Sequence, residues 1–285
     1  MSLKKVGFFD KAIRDKFSKV IAWMSSIVTL VFVFSPALPS NWKLDFGMGF
    51  IAILFVIYIY LWVKANLLSS VKINIEGSEV NIKAGDIFAQ DGLKVIAFNE
   101  YFDTKVDDNI ISSKSLNGIF INKYFKDSAG VLDQHIENYD FEENKIEVNS
   151  TRNDGKKQKF KIGTICLYKF QNNEEFILTA FTKFDIQNKA TLTMPEYLEF
   201  LIKFWDEINR VYAQKSVSVP IFGSGITRIK EHKNISDEEL LKIMLWTFRI
   251  SEMRFKYPAK LTIVVHKDKI NQINLLDIEM AKNGL

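Results

Sequence analysis

Val217-Ser218-Val219-Pro220-Ile221-Phe222-Gly223-Ser224-Gly225-Ile226-Thr227 decides the reading of this 285-residue chain. Val217 to Phe222 reads as a short apolar strand, and the residues after it as a glycine loop. Two glycines let backbone N–H groups turn toward an anion, and Ser224 and Thr227 add hydroxyl donors, the physics of a phosphate nest, with a plain glycine-rich loop beside a helix as the alternative. No Gly-Lys-[Ser/Thr] follows, so this is not a Walker loop.

Outward from that strand, strands and helices alternate. Met194 to Gln214 is a long helix with Leu198, Leu201, Ile202, Trp205, Ile208 and Val211 on one stripe. Ser236 and Glu239 form a capping box that opens a helix to about Phe255, and Leu261 to His266 is a final buried strand. Upstream, Val71–Ile75 and Val80–Ile82 alternate around the turn Gly77-Ser78, and Lys94–Phe98 reads as a buried strand. Ser115–Phe125 and Ala129–Tyr139 read as helices, and Phe160–Phe170 and Glu175–Phe184 as strands. The polar run Asp140–Gln158 reads as a hairpin or surface insertion. This order is α/β with a largely parallel or mixed sheet, which binds ligands at the carboxyl ends of its strands.

Two more strand ends carry polar groups. Gly85-Asp86-Ile87 follows the second strand, and the Asp86 carboxylate can accept from an exocyclic amine such as adenine's. Asn99 follows Lys94–Phe98, and its carboxamide can donate to and accept from a ribose hydroxyl. Read one at a time, both are also ordinary turn residues. No nucleophile–base pair is legible, and the three histidines, His135, His232 and His266, have no metal-ligand spacing, so no metal site is expected. The single cysteine, Cys166, excludes an internal disulfide and reads as a buried thiol.

The net charge is +4, and residues 1–19 alone carry it, with six basic and two acidic side chains. The remainder is neutral, which excludes a broad nucleic-acid face. After the basic segment come two uncharged apolar stretches, Val20–Leu38 and Phe46–Val63, each about 27 Å long as a helix, near one hydrocarbon core. Trp23, Trp42, Tyr58, Tyr60 and Trp62 lie mostly near their ends. Basic residues precede the first stretch and follow the second, so the positive-inside rule places both termini in the cytoplasm and the short loop outside. A signal peptide, with Ser35-Pro36-Ala37 near its cleavage site, and a pair of buried core helices are the alternatives.

Taken in order, Val80-Asn81-Ile82-Lys83-Ala84-Gly85-Asp86-Ile87, Lys94-Val95-Ile96-Ala97-Phe98-Asn99 and Val217–Ile226 resemble the strands and ligand loops of a macro domain, over about residues 71–270. The resemblance implies a three-layer α/β domain with a mixed central sheet that binds ADP-ribose. Asp86 and the Ile87 backbone would hold adenine, and Asn99 would face the terminal ribose. Ser113, Lys114, Ser115, Leu116 and Gly118 would form a first loop at a helix N-terminus. Phe222, Gly223, Ser224, Gly225, Ile226 and Thr227 would hold the diphosphate. The chain departs from hydrolytic macro domains: Phe98-Asn99-Glu100-Tyr101 stands where they often carry Asn-Ala-Ala-Asn, Ser112–Ser115 replaces a glycine run, and Thr227 replaces an aromatic.

A macro domain behind a two-span transmembrane hairpin resembles the membrane effector of the type II Thoeris anti-phage system. That resemblance implies an inner-membrane protein in three parts: a basic cytoplasmic segment (1–19), two transmembrane helices (20–38 and 46–63) and a cytoplasmic macro-like domain (71–285). A partner TIR-domain protein would make a signal from NAD, an ADP-ribose derivative and possibly an amino-acid conjugate. The effector would bind it, assemble as a homo-oligomer and disrupt the lipid bilayer, with no cofactor. A membrane-tethered ADP-ribosyl hydrolase, with Glu100 or Asp103 positioning water, is the competing reading, and a scaffold that anchors a partner is a third.

Overall fold

The structure is a computed structural model that describes residues 5–34, 39, 42–170, 174–185, 187–225, 227–232 and 234–280. The chain divides into two compact units, residues 1–71 with 271–283 and residues 72–270.

In the first unit, α1 (Lys11–Phe34) and α2 (Lys43–Leu67) are long and apolar enough to cross a membrane, and their most apolar stretches are not buried against protein. Trp23, Phe34, Ile51 and Phe55 stand exposed, so the buried-core alternative does not hold for the described residues. Residues 35–38 of the first expected span lie outside the described residues. The hydroxyls of α1 bond back one turn, Ser26 to the Ala22 carbonyl at 2.9 Å and Thr29 to the Ser25 carbonyl at 2.8 Å, so neither polar group is left bare.

The N-terminal segment packs on the end of α2. Val6 N–H donates to Asn66 Oδ1 at 2.9 Å, and Trp62 Nε1 donates to the Val6 carbonyl at 3.0 Å. Phe8 meets Tyr58 and Trp62 edge to face. The C-terminal α7 (Leu275–Met280) belongs here too: Leu276 is buried with Val6, Ala12, Ile13 and Ala65, and Lys16 pairs with Glu279 at 2.7 Å. Sequence alone assigns this stretch to the macro-like domain, because nothing in its composition names the helix it packs against.

The second unit runs β1 (Ser70–Ile75), β2 (Ser78–Ala84), β3 (Leu93–Asn99), α3 (Leu116–Tyr124), α4 (Ala129–Asn138), β4 (Lys145–Val148), β5 (Gln158–Phe160), β6 (Ile165–Lys169), β7 (Glu175–Phe184), β8 (Ala190–Leu192), α5 (Met194–Val211), β9 (Val217–Pro220), β10 (Arg228–Ile229), α6 (Asp237–Ile250) and β11 (Leu261–Val265). The sheet order is β1-β2-β11-β9-β3-β7-β8-β10, with β6 also on β7. β2, β11, β9, β3 and β7 run parallel, while β6 and β8 run antiparallel to β7, so the sheet is mixed.

Helices cover both faces, giving three layers. Alternation along β7 sends Phe176 to Phe120 of α3 and Phe181 to Phe200 of α5. Behind the first face, Leu132 and Ile136 of α4 complete a buried cluster, and behind the second Trp205 packs on Phe248 of α6.

Several boundaries differ from the sequence reading. The expected strand Phe160–Phe170 is split by the turn at Lys161–Thr164: β5 pairs with β4 in a separate hairpin and β6 joins the main sheet. α5 stops at Val211 because Ala213 and Gln214 take positive φ, 46° and 59°. α6 stops at Ile250, where Ser251 is extended. Both helices open with reciprocal capping boxes, Thr193 with Glu196 and Ser236 with Glu239.

Candidate functional site

The parallel strands end along one edge, at Ala84, Val265, Pro220, Asn99 and Phe184. A cavity of about 530 Å³ opens there, in the size range of small-ligand sites. Its walls come from the ends of β3 and β7, the loop before α3, the segment 188–191 and the loop after β9.

The β9 loop is held from behind. Gly223 has φ +85°, where a side chain would be strained, and Ser224 N–H closes the turn on the Ile221 carbonyl at 3.2 Å. The buried Tyr197 hydroxyl donates to the Phe222 carbonyl at 2.9 Å. Phe222, Gly223, Gly225 and Thr227 line the cavity and Ser224 does not, while Ile226 lies outside the described residues.

The facing wall is the N-terminus of α3. Ser115 caps it by accepting Gly118 N–H at 3.2 Å, and a Cβ on Gly118 would fall 2.1 Å from the Ser112 carbonyl oxygen, so only glycine fits. Asp108 braces the loop, accepting both Ser113 N–H at 2.7 Å and Ser113 Oγ at 2.9 Å. The Ser113 N–H bond is the main reason the Asp108 carboxyl sits below the usual carboxylate range. Lys114, Ser115 and Leu116 line the cavity; Ser113 and Gly118 shape the loop without lining it.

Asn99 lines the cavity, but its carboxamide is turned to its own loop. Oδ1 accepts Tyr101 N–H at 3.0 Å and Asp103 N–H at 3.3 Å, and Nδ2 donates to Asp103 Oδ2 at 3.0 Å. Asp103 in turn forms a two-pronged pair with Arg152, Nη1 to Oδ1 at 3.1 Å and Nη2 to Oδ2 at 2.7 Å. Arg152 also donates to Asn188 Oδ1 at 3.0 Å and lies 3.9 Å over the Tyr101 ring. One guanidinium therefore ties together the β3 loop, the β4–β5 hairpin and the wall segment at Asn188. Glu100 is equally buried; burial pushes its carboxyl up, partly offset by the Phe184 N–H at 3.1 Å and by Lys159. Neither Glu100 nor Asp103 lines the cavity.

Asp86 and Ile87 are on the same strand-end edge but outside this cavity. β11 separates β2 from β9, so Asp86 begins two strand spacings away, about 10 Å. Asp86 is exposed, with Oδ1 taking Phe88 N–H at 2.9 Å, and Ile87 is buried in the core. Among the described residues, no His, Cys, Asp and Glu side chains cluster as metal ligands.

Sequence reasoning missed Phe181, Thr182, Phe184 and Asn188–Thr191, which line the wall beside Asn99. The one usable signal was the strong strand pattern of Glu175–Phe184; only the pairing of β7 with β3 shows that its end borders the site.

The chain is similar to several known proteins. The family described as Thoeris protein ThsA, Macro domain, matches residues 80–266. Thoeris protein ThsA of Bacillus amyloliquefaciens (strain Y2) is 37% identical over 289 residues, covering 97% of this chain and 94% of that protein. Among solved structures, a mutant of the Oceanobacillus iheyensis macrodomain is similar with a TM-score of 0.48 and 16% identity, over 75% of this chain and 96% of that one. The same macrodomain with ADP gives 0.46 and 16%, over 74% and 94%. On the family match and the near end-to-end relative, the chain belongs to the Thoeris protein ThsA family and carries its macro domain.

Proposed function

We propose that this protein is a membrane-anchored effector of anti-phage defence, whose macro domain binds an ADP-ribose-derived signal that a TIR-domain protein makes from NAD. The observation that carries the reading is the cavity itself: a glycine loop after a parallel strand faces a helix N-terminus across a nucleotide-sized space. Lys114 and Lys189 add positive charge to its walls. The diphosphate would lie between Gly223–Thr227 and the start of α3, and Asn99, which lines the same cavity, would lie beside the terminal ribose. Asp86, at the far end of the same edge, would meet the adenine.

The exposed apolar surfaces of α1 and α2 call for lipid, and the basic residues before α1 favour a cytoplasmic N-terminus in an inner membrane. Ligand binding would favour an assembled state in which the two spans disturb the bilayer. The burial of Glu100 and Asp103 outside the cavity favours a binder over an ADP-ribosyl hydrolase.

The test uses the full chain in lipid nanodiscs, titrated calorimetrically with ADP-ribose and with its amino-acid conjugates. Saturable binding of one of these, and dye release from vesicles carrying the protein when that compound is added, is the expected result. No heat with any of them ends the reading.

A further inference from the structure

The loop that follows β9 is gripped by a residue from the turn after another strand. Lys269 lies four residues beyond the end of β11, and β11 is the immediate neighbour of β9. Its ammonium donates to the Ser224 carbonyl and to Ser224 Oγ, the latter at 2.8 Å, and Asp237 Oδ2 stands 3.2 Å away. Both hydrogen bonds go to Ser224, while the contact with Asp237 is an ion pair. Neither Lys269 nor Ser224 lines the cavity, whereas Gly223 and Gly225 do, so the grip is applied on the loop's outer side.

The geometry of one peptide unit converts that grip into a consequence inside the cavity. A trans peptide holds its C=O and N–H antiparallel in one plane, and the Ser224–Gly225 bond is trans. Fixing the Ser224 carbonyl outward on Lys269 therefore turns the Gly225 N–H the opposite way, toward the space that Gly225 borders. We propose that Lys269 is a positioning residue: by holding the Ser224 carbonyl it aims the Gly225 N–H at an anionic oxygen of the ligand without touching the ligand itself. Asp237 holds Lys269 at the correct reach, and it is the first residue of α6, where a carboxylate also suits the helix dipole. The inference rests on the reading of this cavity as the site of a pyrophosphate-bearing nucleotide.

The experiment titrates the full chain in nanodiscs with ADP-ribose, as the parent protein, Lys269→Met and Lys269→Arg, at low and at physiological salt. Lys269→Met keeps the stem and removes every donor; its ADP-ribose affinity falls by about tenfold, the scale of one well-aimed hydrogen bond to a charged group. Lys269→Arg, which still donates to the carbonyl and keeps the charge beside Asp237, recovers most of the loss. The factor by which salt weakens binding is the same in parent and Lys269→Met, because the lost cation never faced the ligand. If Lys269→Met does not fold, Lys269→Gln, neutral and too short for the carbonyl, takes its place.

Affinity unchanged in Lys269→Met, or a salt dependence that shrinks with the loss of the lysine, overturns the inference: the first says the peptide needs no holding, the second that Lys269 meets the phosphate directly. A parent protein that gives no heat with ADP-ribose overturns the functional reading instead, so the two failures are told apart by the parent alone.

Discussion

Replacing Arg152 by methionine keeps most of the stem's apolar volume and removes the cation that pairs with Asp103 among the described residues. Asp103 is 1% exposed, so water cannot take over. What remains to it is the Asn99 amide at 3.0 Å and the Lys156 N–H at 2.7 Å, two donors where there had been four. Breaking one side of a buried pair costs about 3–5 kcal/mol, which for a domain near 200 residues lowers the melting temperature by about 6–20 °C. The loss of the Arg152 bond to Asn188 frees one wall of the cavity at the same time. The measurement is tryptophan-fluorescence melting of the full chain in nanodiscs, for the parent, Arg152→Met and the double variant Asp103→Asn with Arg152→Met. The double variant recovers part of the loss, because no charge is then stranded. A melting temperature within 2 °C of the parent for Arg152→Met would refute the argument that this guanidinium holds the three segments together.

Three further outcomes are expected. Burial pushes the Glu196 carboxyl up, but Lys183 at 2.6 Å and the Thr193 cap outweigh it and hold it down at about 2. Its contribution to stability is therefore complete above pH 4.5, the ordinary value, and drains away as pH falls toward 2. Glu196→Gln melts earlier than the parent at pH 7, and the gap narrows through that window; a gap independent of pH contradicts the pairing. Cys166 is fully buried and its thiol is pushed up to about 12 by burial, so iodoacetamide at pH 8 leaves it unmodified in the native protein and labels it after denaturation; rapid native labelling would show an open core. Gly118→Ala drives a methyl into the Ser112 carbonyl, displacing the first turn of α3. ADP-ribose titration of that variant reports at least a tenfold loss, and wild-type affinity would mean that this wall does not take part.

The alternation of strand and helix patterns was legible because each element carries its own period: the α5 stripe, the Ser236–Glu239 cap and the apolar run of β11 name themselves locally. Residue order also suggested which loops hold polar groups. It did not show that β11 lies between β2 and β9, which separates Asp86 from the glycine loop, because strand order is a property of long-range pairing. For the same reason Lys269 and Arg152 were invisible. Each acts 45 to 49 residues from its partner, and neither sits in a motif. Asn99 carries a different lesson: its place at a strand end was readable, but the direction of its carboxamide depends on Asp103, whose own partner arrives with the β4–β5 hairpin.

The return of α7 to the first unit changes how the chain is moored. The backbone leaves that unit at residue 71, builds the whole ligand-binding body, and re-enters at residue 271. The first unit is thus assembled from segments that lie at the two ends of the other unit's stretch of sequence. Leu276 in its apolar seat, Glu279 on Lys16 and Asn274 on Asp10 make the second segment a packed joint rather than a loose tail. A cut made between residues 270 and 271 therefore takes α7 away from the first unit and bares the seat that Leu276 fills.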